Sequence, residues 1–150
     1  HGPWLSRGMS TKHAVNTFFK NILGGFASSR FHRPPHGLGL SHWPMQSIKT
    51  IRKIEEKVKL WDLKPMTERM VNREENEAYL TGKEGESYLV FFPADGEVLL
   101  DLRQYSKTFE LNWINIAHAN WGNSIALEGG SEITLTPPVN SGSLALIQVK

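Results

Sequence analysis

The sequence predicts an α+β chain, with helices first and antiparallel strands after. Three observations carry that reading. Apolar residues recur with a helical period through residues 1–60. From about Asn76 the period falls to two. Turn-forming residues then separate six or seven short apolar runs down to the end of the chain.

The first helix is read from Ala14, Val15, Phe18, Phe19, Ile22 and Leu23, which build one broad apolar stripe. Ser10 or Thr11 is placed to cap its start, and Gly24-Gly25 to end it. Phe26 to Phe31 reads as a short strand. Arg33-Pro34-Pro35-His36-Gly37 must be a loop, because two prolines fix φ and remove backbone donors. A second helix is expected to start near Ser41 to Pro44, bury Met45, Ile48, Ile51, Ile54 and Val58, and end at Asp62 to Pro65.

The strands expected next are Glu77 to Thr81, Tyr88 to Phe92 and Val98 to Leu102, with residues 87–102 read as a hairpin turning at Pro93-Ala94-Asp95-Gly96. Phe109, Leu111 and Trp113 alternate with Glu110 and Asn112, so one face of that strand is buried and one is wet. Ser124 to Glu128, Glu132 to Thr136 and Leu144 to Val149 complete the set, and residues 76–150 read as an antiparallel β-sandwich. One strand between two helices cannot bury both of its faces, so residues 1–60 are expected to be the last βα portion of a larger α/β body.

Composition narrows the function classes. Of 150 residues, 39% are hydrophobic and 21% charged, enough apolar material for a packed core. The absence of cysteine removes disulfides, thiol catalysis and cysteine–zinc sites. No apolar run approaches the length of a membrane helix, and no signal peptide is visible, so no membrane partner is expected. Charge is split: residues 1–60 hold ten basic side chains against two acidic, a net +8, and residues 61–150 hold seven against thirteen, a net −6. The basic residues are scattered and no nucleic-acid motif accompanies them, so no nucleic-acid partner is expected.

The run Tyr88-Leu89-Val90-Phe91-Phe92-Pro93-Ala94-Asp95-Gly96-Glu97-Val98-Leu99-Leu100-Asp101-Leu102 is followed by Phe109-Glu110-Leu111-Asn112-Trp113 and then Ile133-Thr134-Leu135-Thr136-Pro137-Pro138. That order resembles the C-terminal β-sandwich known as the collagen-binding domain of a collagenase, found behind glycoside-hydrolase-like (β/α)8 barrels, mostly in bacteria. Residues 21–35 and 45–58 are similar to the final strand passage and final helix of such a barrel. Ser141-Gly142-Ser143-Leu144 departs from the Asp-Trp pair that often opens the family's last strand, and Asn115 to Asn120 departs from its turn. The resemblance implies a barrel end over 1–65 and a β-sandwich over 66–150. It implies a non-catalytic C-terminal segment of a secreted glycoside-hydrolase-like protein, extracellular or periplasmic. The sandwich would support the barrel or assist polysaccharide binding, or act as an independent glycan- or collagen-binding module.

Glycoside hydrolysis ordinarily uses two carboxyl groups about 5–9.5 Å apart. The first 60 residues offer only Glu55 and Glu56, both on the expected outer helix. Asp101 and Glu110 are positioned to face each other across strands, where a solvated strand face explains them. No catalytic residue is therefore assigned within this chain, and no cofactor is expected. His32, His36 and His42 lie in a loop with two prolines and two glycines, so no metal site is assigned to them. By the barrel analogy Arg30, His32 and Arg33 would line a sugar subsite at the barrel mouth. Trp121, in Asn120-Trp121-Gly122-Asn123, is the candidate sugar-stacking aromatic in a loop, whereas Trp113 is in phase with the core. Trp4, Trp43 and Trp61 are expected to pack helix against sandwich. The two apolar helix stripes, lacking a barrel sheet, are expected to drive self-association through residues 1–60.

Overall fold

A computed structural model describes residues 9–25, 42–75, 77–139 and 142–150. The expected strand over 26–31 and Trp4 lie outside these residues, as do His32 and His36. Helix α1 spans Met9–Leu23, so Ser10 and Thr11 fall inside its first turn and not before it. It closes as read: Gly24 N–H donates to the Lys20 carbonyl at 2.8 Å, and Gly25 takes φ +86°, which a side chain would disfavour. Helix α2 spans His42–Glu55 with Pro44 in its first turn. It ends earlier than expected, and a separate 3₁₀ turn at Leu60–Asp62 leads into the strands.

Among the described residues ten strands follow: β1 Lys64–Pro65, β2 Met70–Val71, β3 Tyr79–Lys83, β4 Ser87–Phe92, β5 Val98–Asp101, β6 Thr108–Asn115, β7 Asn120–Trp121, β8 Ile125–Glu128, β9 Glu132–Leu135 and β10 Ser143–Val149. They form a seven-stranded sheet, in the order β1-β3-β4-β10-β6 with β7 and β8 along the free edge of β6, and a three-stranded sheet β2-β5-β9. Every pairing is antiparallel. Pairing begins at Lys64, so the sheet takes in the last two residues of the 1–65 segment.

The expected hairpin over 87–102 is not formed. Both edges of β4 are occupied, by β3 and β10, so the chain leaves at Pro93–Gly96 and β5 joins the other sheet. The hairpin is β3–β4 instead. Lys83 pairs with Ser87, Glu86 N–H donates to the Lys83 carbonyl at 3.0 Å, and Gly85 at φ +73° makes the turn.

The two sheets share one core. Met70, Val98, Leu100 and Leu135 of the smaller sheet meet Val90, Phe109, Leu111, Trp113 and Ile147 of the larger. The opposite face of the larger sheet carries the second core. There Val15, Phe18, Phe19, Leu23, Ile51 and Ile54 of the helices pack on Leu89, Phe91, Ile114, Leu144 and Leu146. Phe19 and Phe91 touch ring to ring, with centroids 5.0 Å apart. The buried residues of both helices thus pack on the chain's own sheet, while Met45 on α2 stays 44% exposed. The face α2 buries is also rotated from the expected one. Pro44, Ser47, Thr50, Ile51 and Ile54 are buried, and Met45 is 44% exposed. Ser47 and Thr50 fit because their hydroxyls donate to carbonyls four residues back, of Trp43 and Gln46, at 2.9 and 2.8 Å.

Candidate functional site on the outer sheet face

Register assigns the side chains of the larger sheet to rows. On the helix side one row runs Tyr79, Phe91, Leu144, Ile114, Trp121. The next runs Thr81, Leu89, Leu146, Asn112. The row after that is polar: Lys83, Ser87, Gln148, Glu110, with Ala126 at the end. The helices cover the apolar rows, and the polar row is partly exposed.

Trp121 is the one assigned site residue within the described regions; Arg30, His32 and Arg33 lie outside them. The loop expected around Trp121 is replaced by β7, where Trp121 pairs with Ile114. The turn before it contains Ala119 at φ +51°, and His118 N–H donates to Asn115 Oδ1 at 2.8 Å. After it, four residue steps from Trp121 to Ile125 face three from Ile114 to Leu111, so one extra residue is inserted. That is a β-bulge, and Gly122 N–H donating to the Trp113 carbonyl at 2.8 Å marks it. The bulge switches the phase of the return strand. Trp121 points to the helix side, and Ile125 pairs with Leu111 of the inner core.

Helix α2 fastens this hairpin. Lys53 Nζ donates to the Ala119 carbonyl at 2.6 Å, and Lys57 Nζ lies 4.9 Å from the centre of the Trp121 ring. The indole is half-buried and packs on the outer core. It therefore joins helix to sheet, and sugar stacking on the lysine's side requires Lys57 to swing away. Gln148 Nε2 donates to the Lys57 carbonyl at 3.0 Å, tying the turn after α2 to β10. Ser124 Oγ donates to Glu110 Oε1, and this bond is the main cause holding the Glu110 carboxyl below its ordinary range, with Lys150, Asn112 and Lys57 adding to it.

The remaining carboxylates are engaged elsewhere. Asp101 and Glu110 do not face each other, because β5 and β6 belong to different sheets. Asp101 receives both Arg103 Nε and Nη2 at 3.0 Å, which lowers its pKa to about 2. Glu84 accepts from Arg69 Nε at 2.8 Å and from the Tyr105 hydroxyl at 2.7 Å, raising both of those groups. Among the described residues no group of three or more His, Asp or Glu side chains is placed to hold a metal. Among them, too, no helix is long and apolar enough to cross a membrane.

The tryptophans divide as follows. Trp113 is buried in the inner core as its phase predicted, and Trp43 packs against the outer one. Trp61 does not pack helix against sheet. It stands on the 3₁₀ turn, 79% exposed, because Leu60 and Leu63 on either side of it turn inward. The sequence reading also passed over Gln148, whose signal is a polar position of β10 that pairs with Glu110 of β6, and Ser124, which lies just before β8.

No family model matches the sequence, and no curated protein matches it. Solved structures do. The chain superposes on a glycoside hydrolase family 5 protein from Bacteroides vulgatus ATCC 8482 with a TM-score of 0.72, at 11% identity over 92% of its length. It superposes on a second protein described as a glycoside hydrolase with a TM-score of 0.68, at 10% identity over 92% of its length. In each case it spans 36% of the larger chain. The likeness is one of fold, to a part of glycoside-hydrolase chains.

Proposed function

We propose that this chain is the C-terminal, non-catalytic part of a glycoside-hydrolase-like protein, extracellular or periplasmic. In this reading α1 and α2 are the last helices of a (β/α)8 barrel. The two stacked sheets are the domain that braces them or assists polysaccharide binding. The observation that carries it is the shared outer core: Phe18, Phe19, Ile51 and Ile54 close the face of the sheet made by Phe91, Leu144 and Ile114. A domain joined to helices in this way stiffens whatever those helices belong to. The likeness of 92% of the chain to 36% of a glycoside hydrolase supports the placement, and Met45, left exposed on α2, offers a flank for barrel strands. Catalytic carboxylates would then sit on barrel strands, as such enzymes require.

A second reading is an independent extracellular module for glycan or, following the family label, collagen; the partly exposed polar row favours it. The test is to express the coding region that precedes His1 together with this chain. The first reading expects one cooperative unfolding transition for barrel and sheets together, and loss of solubility when residues 64–150 are removed. Two independent transitions, with a barrel stable by itself, favour the second.

A further inference from the structure

The larger sheet ends along β8, which pairs with β6 alone among the described strands. The backbone of β6 divides its bonds by parity. Its even-numbered residues serve β10: Lys150 N–H donates to the Thr108 carbonyl at 2.9 Å. Its odd side serves β8: Gly129 N–H donates to the Lys107 carbonyl at 2.7 Å. Bonded and non-bonded pairs alternate along an antiparallel ladder. Leu127 and Ile125 are therefore the residues bonded to β6, opposite Phe109 and Leu111. Ala126 and Glu128 turn their N–H and C=O groups away from it, and among the described residues no strand takes them up.

The other sheet edges are blunted. β1, β2 and β7 are two residues long, and β1 consists of Lys64 and Pro65. β9 sets Glu132 within 4.0 Å of Arg103 and runs on into Pro137-Pro138. Short, charged or proline-bearing edges resist pairing with another chain. β8, Ile125-Ala126-Leu127-Glu128, has neither lysine nor proline. Ile125 is 46% exposed although its register partner Leu111 belongs to the inner core, and Leu127 is half-buried on the same face.

We infer that β8 pairs with β8 of a second copy of this chain, antiparallel around a two-fold axis at Ala126. The strand is self-complementary in that register. Ala126 lies opposite its twin, and each donates to and accepts from the other with the groups that β6 leaves free. Ile125 of each copy lies opposite Leu127 of the other on the inner-core side, so the exposed isoleucine gains an apolar cross-strand neighbour. The two Glu128 carboxylates fall at opposite ends of the pair, about 13 Å apart along the strands, so no like charges meet. With the axis at Leu127 instead, Ile125 would face Gly129 and the two acids would draw closer. A four-residue edge on each side buries less than the about 1,600 Å² of a standard interface, so the pair is weak and concentration-dependent.

The test is sedimentation velocity of the 150-residue chain from about 5 to about 500 µM. The expected result is a reversible shift from monomer to dimer, weakened about tenfold or more in Ala126→Pro and in Ile125→Lys. The proline removes an outward N–H that β6 does not use, and the lysine adds a charge at an exposed position, so both variants are expected to keep the wild-type urea midpoint. Should the proline lower that midpoint, the lysine variant decides. Amide exchange gives a second readout: Ala126 and Glu128 slow at the higher concentration, whereas Ile125 and Leu127, already bonded to β6, do not change. A chain that stays monomeric across the range, leaving the edge to some other partner, would overturn the pairing. So would a dimer that keeps its strength in both variants. Neither result touches the bracing role, which the two-transition experiment decides separately.

Discussion

The two ends of one sheet face differ in what covers them, and the strands record the difference residue by residue. In β6 the first half alternates, Thr108 and Glu110 out, Phe109 and Leu111 in. Past Asn112 the alternation stops, and Trp113 and Ile114 are both buried, one in each core. β4 does the same: after Ser87, every residue from Tyr88 to Phe92 is buried. A strand covered on both faces reads as a continuous apolar run, and one covered on a single face alternates. The place where alternation fails is therefore where the helices begin.

The strongest way to break this comparison is to empty the covered end. Phe91 is fully buried between Phe19 and Tyr79, so Phe91→Ala is expected to cost about 3–5 kcal/mol in urea unfolding. A truncation at an exposed position of the open end, such as Lys83→Ala, is expected to stay within about 0.5 kcal/mol of wild type. Comparable losses at the two ends would mean that the helices do not cover the face.

An intermediate effect is expected at the hairpin turn. The buried Tyr88 hydroxyl accepts from Gly85 N–H at 2.8 Å, and Tyr88→Phe leaves that donor unpaired at a cost of about 1–3 kcal/mol. Burial pushes the Tyr88 pKa up from 10.0 to about 12. The folded chain therefore holds this proton more tightly than the unfolded one. Its contribution is complete below pH 10 and is lost as pH rises to 12, so the unfolding midpoint should fall over that window, and fall less in Tyr88→Phe.

Asp101 gives a smaller effect of opposite sign. Its pKa falls from 3.8 to about 2 beside Arg103, so its contribution is present above pH 3.8 and lost as pH falls to 2. Acid titration of Asp101→Asn should show a shallower loss across that window, and an unchanged slope would contradict the pairing. The smallest effect sharpens the account of the inner core. Ser143 Oγ is buried without a hydrogen-bond partner among the described residues. Ser143→Ala is expected to be neutral or stabilising by up to about 1 kcal/mol, read from the thermal midpoint.

Much of this was legible in the sequence. The α1 stripe and nearly every longer strand follow from periodicity, because the period of a buried face is local geometry. Sheet membership was not legible. Nothing within residues 87–102 says that β4 has both edges taken, because its partners β3 and β10 lie 8 and 56 residues away. The stripe of α2 was misjudged for a related reason. Ser47 and Thr50 count as polar until their hydroxyls are satisfied by their own helix, after which they pack as small residues. For the candidate site, Trp121 was visible as a residue, but its clamp was not. Lys53 and Lys57 reach it from 64 or more positions away, and only the fold brings them there.

The central claim is that helices and sheets form one cooperative unit through the outer core. Native-state hydrogen exchange tests it most directly. The claim predicts that amides of α1 near Phe19, of α2 near Ile54 and of β10 near Leu144 exchange with the same opening free energy and the same denaturant dependence. Helix amides that open at far lower free energy, with little denaturant dependence while β10 stays protected, would contradict it.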